Sequence, residues 1–214
     1  MKRITLGVIS DTHGLLRPEA VEALRGADRI LHAGDVGAPE IIEALAHIAP
    51  VTAIRGNIDT ASWADALPVT EVVEAAGVSI YMLHDRGQLD LRPEAAGFRV
   101  VVYGHSHQPK IEEKNGVLYF NPGSAGPRRF HLPVSVGRLI IAAGKVQAES
   151  VELAVWLLTR ELNKQVKRPT RKPAFVRFQL LADRSARDTH YFFGAIASFA
   201  ALATRNFTTV FALI

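Results

Sequence analysis

Three apolar runs that alternate with helical segments constrain the fold of this chain most strongly. The runs Ile4–Ser10, Arg29–Ala33 and Val51–Ile54 are rich in β-branched residues, which favour buried strands. The segments Pro18–Arg25 and Pro39–Ile48 separate them, and a proline opens each, as is common in the first turn of a helix. Strands and helices that alternate at this spacing predict βαβ units and a largely parallel sheet.

Beyond the third run, the pattern changes to paired strands. Short turns such as Asn115-Gly116, whose residues favour positive φ, join the members of each pair. A further strand, Arg99–Tyr103, has no partner next to it in the chain. The predicted pairs are Val69–Glu74 with Ser79–Leu83, Lys110–Lys114 with Val117–Phe120, and Val134–Ile141 with Lys145–Val151. Parallel strands followed by antiparallel ones predict an α/β fold, a two-layer mixed β-sheet sandwich flanked by helices.

Charge is divided unevenly along the 214 residues. Residues 1–159 carry 15 Lys and Arg against 18 Asp and Glu, a net charge of −3, whereas residues 160–214 carry 10 against 3, a net charge of +7. The mildly acidic body argues against a broad nucleic-acid surface. The basic end is most simply a solvated linker, with nucleic-acid or anionic-lipid contact as the alternative.

Cysteine is absent, which excludes a disulfide framework, a thiolate metal site and a cysteine nucleophile. A chain without cysteine also fits a reducing compartment, so we expect a cytoplasmic protein. The first apolar stretch ends at Asp11 without a small-residue cleavage site and is interpreted as a strand, not a signal sequence. The apolar stretch Tyr191–Ala203 is shorter than the roughly 20 residues that span a bilayer, so we expect no transmembrane segment.

Nitrogen and oxygen donors follow five of the predicted strands. In an open α/β sheet, ligands bind outside the carboxyl ends of the strands, so we expect these side chains to share one crevice. On an extended segment, His105 and His107 would both face the same cavity. Seven donors suit two metal ions about 3.5–4 Å apart, and this mixture favours manganese, iron, zinc or nickel over calcium or magnesium. The seven are Asp11, His13, Asp35, Asn57, His84, His105 and His107.

Taken singly, several of these and neighbouring polar residues could have structural roles instead of binding a metal or a substrate. Asp11 and Asp35 could cap a helix or a turn. Asp59 either orients a ligand histidine or terminates its turn. Arg128 either contacts substrate phosphate, which an arginine fork suits, or is a solvated loop residue. His32, inside a strand, is interpreted as structural, and His47, on a helix, as a structural or surface residue.

The motifs around the seven donors match in order and spacing the signature of the calcineurin-like metallophosphoesterases. They are Asp11-x-His13, Gly34-Asp35, Gly56-Asn57, His84 and Gly104-His105-Ser-His107. Asn121-Pro-Gly-Ser124, followed by Pro127-Arg128, resembles the small bacterial and archaeal phosphodiesterase branch of that superfamily. The resemblance covers about residues 1–155, so we expect a metallophosphoesterase domain there and an extension of unassigned role over 156–214.

The resemblance implies a dinuclear metal site and a metallophosphoesterase fold. Asp11, His13 and His107 would hold one divalent ion, and Asn57, His84 and His105 the other. Asp35 would bridge them, with a hydroxide as second bridge and nucleophile. The two ions would be transition metals, with Mn²⁺ expected first and Fe, Zn or Ni as alternatives. The implied activity is that of a phosphodiesterase acting on a small phosphodiester.

Two departures from the family pattern bear on activity. Many members carry a histidine directly after the Gly-Asn pair, where it protonates the leaving group, but this chain has Ile58. Without that acid an alkyl alkoxide leaves poorly, which puts phosphomonoesterase activity in doubt. The other departure is Asp85, at a position where a glycine often follows the histidine.

Two other functions compete with the phosphodiesterase. One is a protein scaffold like the retromer subunit of this fold, whose metal site is degraded; the complete set of ligands argues against it. The other is a nuclease, which would be expected to show a basic, extended surface; the acidic body argues against it. The sequence leaves the substrate and the oligomeric state, including a homo-oligomer, open.

Overall fold

The computed structural model describes residues 3–155, and all elements given below lie in that part of the chain. The expected C-terminal extension, 156–214, lies outside the described residues. Its basic stretch and its apolar stretch lie there too. Among the described residues, no helix is long and apolar enough to cross a membrane.

Within residues 3–155 the chain forms ten strands and two α-helices. The helices are α1 (Pro18–Leu24) and α2 (Pro39–Ala46), and short 3₁₀ turns lie at Ser62–Ala66 and Arg86–Gln88. The strands are β1 (Ile4–Ile9), β2 (Arg29–His32), β3 (Val51–Ala53), β4 (Thr70–Ala75), β5 (Val78–Leu83), β6 (Val100–Val102), β7 (Lys110–Lys114), β8 (Val117–Asn121), β9 (Ser135–Ala142) and β10 (Lys145–Glu152). Each strand and helix predicted above is present, with its ends at most two residues from the predicted ones.

The strands form two five-stranded mixed sheets. The first has the order β10-β9-β1-β2-β3, and the second has the order β4-β5-β6-β8-β7. In the first sheet β1, β2 and β3 are parallel, and β9 and β10 complete it with antiparallel pairing. The predicted fold class, a two-layer mixed sandwich with helices, is confirmed.

The expectation that the later strands are antiparallel is wrong for the middle of the second sheet. There β5, β6 and β8 are parallel, and only the edge strands β4 and β7 run against their neighbours. The reason is connectivity: residues 84–99 carry the chain back to the start of β6, and β7 does the same between β6 and β8. Each sheet therefore has three parallel strands with their carboxyl ends at one edge.

The main core lies between the two sheets. Leu6 and Val8 from β1 belong to the same buried cluster as Ile80, Val102 and Phe120 from the second sheet. Each such aliphatic side chain contributes about 1.5–3 kcal/mol through its burial. This packing fixes the two sheets face to face and brings the loops at their carboxyl edges together.

The outer faces of the sheets are covered differently. Leu24 of α1 and Leu45 of α2 pack with Ile30 against the first sheet. On the second sheet Tyr81 and Tyr119 form a separate buried cluster, covered by side chains from residues 89–98. The sandwich is thus closed by helices on one side and by a loop on the other.

Candidate metal centre

The loops that carry the candidate ligands adopt an unusual backbone. Five of the nine described non-glycine residues with positive φ are candidate ligands, and this region costs about 1–3 kcal/mol for a non-glycine residue, so it concentrates at functional sites. These five are Asp11 (55°), His13 (48°), Asp35 (54°), His105 (67°) and His107 (58°). The expectation that His105 and His107 lie on an extended segment is therefore wrong. The two rings contact different groups, as described next.

One group of donors combines the loop after β1 with the loop after β6. His107 Nε2 lies 3.2 Å from Asp11 Oδ1 and 3.3 Å from His13 Nε2. Ser10 Oγ donates to Asp11 Oδ2 at 2.6 Å, and the backbone N–H of His105 donates to the same oxygen at 3.2 Å. These bonds fix the carboxylate and leave Oδ1 facing the two histidines.

A second group is built around His84, which follows β5. His84 Nδ1 lies 2.7 Å from the carbonyl oxygen of Ala33, which can only accept, so Nδ1 carries the proton. The lone pair of Nε2 therefore points into the site, 3.3 Å from Asp35 Oδ1. Such a backbone bond to the second ring nitrogen is the usual way in which a metal-binding histidine is oriented.

Asn57 and His105 form the exposed side of the same region. Asn57 Oδ1 and His105 Nδ1 are 3.0 Å apart, and the His105 ring lies edge-on to His84 with centroids 5.3 Å apart. Both side chains are exposed, whereas Asp11 and His107 are buried. The site thus has a closed side and an open side.

Asp35 lies between the two groups. Its Oδ1 is near His84, while its Oδ2 is 3.8 Å from His13 Nε2. The backbone N–H of Ile58 donates to Oδ1 at 3.1 Å. The two oxygens of this one carboxylate thus face histidines of different groups, and all seven predicted donors lie in one connected cluster.

Two buried atoms of this cluster test whether a cation fits. Asp11 Oδ1 and His84 Nε2 have no hydrogen-bond partner among the described residues, although buried polar atoms are nearly always paired. Asp11 Oδ1 lies 3.2 Å from His107 Nε2, and His84 Nε2 lies 3.3 Å from Asp35 Oδ1. A divalent transition-metal ion would satisfy both atoms, and the imidazole and carboxylate donors suit it. Carboxylate and histidine atoms lie within 4.8 Å of one another in the sets Asp11, His13, His107 and Asp11, Asp35, His84.

Mutual charge perturbs the titration of these groups. Burial works against the charged forms of His84 and Asp35, yet their contact with each other raises the pKa of His84 and lowers the pKa of Asp35. Burial lowers the pKa of His13, and the charges of His107 and Arg129 lower it further against the pull of Asp35 and Asp11. The lowered pKa of Asp35 favours its negative form, which attracts a cation.

Two glycines allow the loops to approach closely. A side chain at Gly56 would collide with Asp35, and a side chain at Gly104 would collide with Ser10 and Asp11. Each glycine directly precedes a candidate ligand, Asn57 or His105 in turn. The missing Cβ atoms therefore let the ligand loops of β1, β2, β3 and β6 touch.

Asp59 fastens two of these loops to each other. Its carboxylate accepts the backbone N–H groups of Val36 at 3.0 Å, Gly37 at 2.8 Å and Gly56 at 2.8 Å. Its hydrogen-bond partners among the described residues are thus backbone groups and no histidine. Of its two expected roles, the geometry matches the one in which Asp59 closes and fixes the turn.

Asn121-Pro-Gly-Ser124, for which the sequence predicted no contact with the site, supports two of the ligand loops. Asn121 Nδ2 donates to the carbonyl of Gly104 at 2.7 Å and to Ser106 Oγ at 3.1 Å, which braces the loop after β6. Ser124 Oγ donates to the carbonyl of Asp11 at 2.9 Å. The sequence feature that could have indicated these contacts is the run of turn-forming residues that follows a buried strand.

The loop at residues 127–131 is exposed, and Arg129 brings it close to His13 of the candidate metal centre. Arg128 and Arg129 are both exposed. Phe130, which follows them, is 91% exposed. Arg129, which the sequence reasoning did not single out, lies close enough to affect the pKa of His13. Ile58 is 39% exposed and directly follows Asn57 in the chain.

Known proteins share the sequence pattern of this chain. The sequence model of the calcineurin-like phosphoesterase superfamily domain matches residues 4–144. A probable metallophosphoesterase of Methanothermobacter thermautotrophicus is 36% identical over 158 residues, which cover 68% of this chain and 91% of the relative.

Solved structures share the fold. An archaeal phosphodiesterase superposes with a TM-score of 0.59 at 23% identity, covering 69% of this chain and all (100%) of that one. Vacuolar protein sorting 29 of Cryptosporidium parvum superposes with a TM-score of 0.57 at 22% identity, covering 71% and 98%.

Proposed function

Because the chain belongs to the calcineurin-like phosphoesterase superfamily, we propose that it is a metal-dependent phosphodiesterase that hydrolyses small phosphate diesters. The observation that carries the proposal is the meeting of seven nitrogen and oxygen donors from five strand ends in one cluster. The absence of cysteine suits a reducing compartment, so the proposal places the activity in the cytoplasm.

Two divalent ions are part of this proposal. Asp11, His13 and His107 would hold one ion, and Asn57, His84 and His105 the other. The two oxygens of Asp35 face His13 and His84, which supports its assignment as the bridge. When bound, the ions, proposed to be Mn²⁺, would activate a water molecule and offset the negative charge of the phosphoryl group.

The chain itself contributes orientation. The Ala33 carbonyl holds the proton of His84 on Nδ1, and Ser10 holds one oxygen of Asp11. Both bonds keep the remaining donor atom directed into the site before any ligand arrives, which lowers the cost of assembling it. The exposed side chains of Arg128 and Arg129 add positive charge at the rim, where an arginine fork suits phosphate oxygens.

Ile58 affects which ester leaving groups can depart from the site. Its side chain cannot donate a proton, so a leaving group must depart without side-chain acid at this position. A phenolate such as p-nitrophenolate is a stable anion and can leave without a proton, whereas an alkyl alkoxide cannot. We therefore expect activated diesters to be hydrolysed faster than alkyl monoesters.

The test is hydrolysis of bis-p-nitrophenyl phosphate by the full chain after metal removal with EDTA and reloading with Mn²⁺. We expect turnover that depends on the added ion and is lost in Asp35→Asn, whose side chain has nearly the same size. A folded, metal-loaded preparation without diesterase activity would overturn the proposal and support a protein scaffold instead.

A further inference from the structure

A cavity of about 460 Å³ opens beside the exposed side of the candidate metal centre. Asn57, His84 and His105 form its inner wall, so the cavity and the metal centre share three residues. Thr70 at the start of β4 and Leu83 at the end of β5 continue the wall away from the site. Its volume lies within the range of small-molecule sites, about 300–1,000 Å³.

The charged lining of this cavity is mostly acidic. Asp85, Asp90 and Arg55 line it, and neither carboxylate forms an ion pair with Arg55 among the described residues. Asp85 Oδ1 accepts the backbone N–H of Gly87 at 2.8 Å and so is held in place. Asp90 is exposed and forms no hydrogen bond or ion pair with a described side chain. Two carboxylates against one guanidinium leave the part of the lining outside the candidate metal ligands negative.

The neighbouring Arg86 does not offset this charge. Its Nη1 pairs with Glu112 at 2.8 Å, and its guanidinium lies 4.3 Å from the centre of the Tyr119 ring, on the outer face of the second sheet. This cation is therefore engaged outside the cavity.

Apart from the imidazoles of the candidate ligands His84 and His105, Tyr81 has the only aromatic ring among the described residues of the lining. Tyr81 is 8% exposed, and its ring stacks on Phe98 with centroids 5.1 Å apart. Recognition of a nucleobase usually uses an open aromatic face, which Tyr81 does not offer. The cavity instead offers carboxylate, amide and hydroxyl groups, which suit hydroxyl and ammonium groups.

We propose that this cavity binds an alcohol group of the substrate and selects small hydroxy- or amino-alcohols over alcohols that carry a further negative charge. The inference rests on the proposed function, because a phosphate at the ion that Asn57, His84 and His105 would hold has the cavity as its neighbour. Asp90 is the residue that determines this preference, and Asp85 adds to it.

The test uses three phosphate monoesters that differ in the charge of their alcohol: phosphoethanolamine, glycerol 3-phosphate and 3-phosphoglycerate. Their dissociation constants are measured by isothermal titration calorimetry on the Mn²⁺-loaded full chain, so the result does not require turnover. We expect phosphoethanolamine to bind most tightly and 3-phosphoglycerate most weakly. Asp90→Asn should reduce the ratio of the Kd of 3-phosphoglycerate to the Kd of phosphoethanolamine about two- to five-fold, the range for an exposed charge pair. Asp90→Lys should reduce it further.

Asp65→Asn is the matched control, because Asp65 is an exposed carboxylate of the preceding connection that does not line the cavity. It should leave the ratio unchanged. If Asp90→Asn and Asp90→Lys keep the wild-type ratio, or if none of the monoesters binds, the cavity inference is overturned. Diester turnover by the same protein would then still support the proposed function, so the two failures are distinguishable.

Discussion

His32 provides a prediction whose size follows from the structure. It is fully buried at the end of β2, and its Nε2 lies 2.9 Å from Thr12 Oγ1. The Thr12 hydroxyl donates to the carbonyl of Val36 at 2.8 Å, so it accepts from His32 Nε2–H. The buried Nδ1 has no hydrogen-bond partner among the described residues, so a proton on that atom would be unpaired and the neutral ring is favoured. Burial lowers the pKa of His32 from 6.5 to about 4.

This lowered pKa makes folding stability depend on pH. Above pH 6.5 the ring is neutral in both the folded and the unfolded chain, so it contributes no pH dependence. Below pH 6.5 the histidine is protonated in the unfolded chain, but in the folded chain it stays neutral down to about pH 4. The free energy of unfolding therefore falls as the pH falls. The full effect is about 3 kcal/mol, of which about 2 kcal/mol is lost between pH 7 and pH 5.

The assay is urea unfolding of the EDTA-treated protein at pH 7 and pH 5, for wild type and His32→Gln. Glutamine keeps an N–H donor for Thr12 but does not titrate, so the variant should lose about 2 kcal/mol less than wild type over this range. The raised pKa of His84 acts in the opposite direction in both proteins and cancels in the difference. His47→Gln, which removes an exposed histidine, should behave like wild type. Equal losses in wild type and His32→Gln would refute the reasoning.

The remaining predictions concern the site and its limits. Asp35→Ala should lose both ions and activity, because Asp35 is the proposed bridge, whereas Asn57→Ala should keep at least one ion. Elemental analysis that finds two ions per chain in Asp35→Ala would contradict the ligand assignment. Ile58→His should raise kcat/KM on alkyl esters more than on aryl diesters, since general acid catalysis is worth about 10²–10⁴-fold; an unchanged alkyl-to-aryl ratio in a folded, metal-loaded variant would show that position 58 does not face the leaving oxygen. Asn121→Ala removes the brace of the loop after β6 and should weaken metal affinity about 10–100-fold in a calorimetric titration; an affinity equal to wild type would assign Asn121 to folding alone. Deletion of 160–214 should leave the diesterase largely intact because every proposed ligand lies before residue 108; loss of the far-ultraviolet circular dichroism signal on deletion would show that the core extends into that segment.

Local patterns were sufficient to predict the strands and the donors that follow them. Apolar runs such as Ile4–Ile9 bury one or both faces, and their ends are marked by a change to polar residues and glycine. Because parallel strands end at the same edge, the order of the first three runs also predicted that Asp11, Asp35 and Asn57 would lie at one edge. These conclusions need no knowledge of long-range contacts.

The rest depends on contacts that no local pattern encodes. The left-handed backbone at His105 and His107 is maintained by hydrogen bonds from other loops, including those of Asn121, 14 or more residues further along. Side-chain alternation alone therefore gave the wrong geometry for this pair. The parallel pairing of β5, β6 and β8 likewise depends on how residues 84–99 cross the sheet, which their sequence does not reveal.

The two glycines that let the ligand loops touch also limit how the site can be altered. Gly56 leaves the space that Asp35 fills, and Gly104 leaves the space that Ser10 and Asp11 fill. The four loops are therefore complementary in shape, and a loop taken singly from a relative would bring its own side chains into a neighbour's space. Transplanting this centre onto another sandwich would require grafting the loops as one set, with both glycines retained.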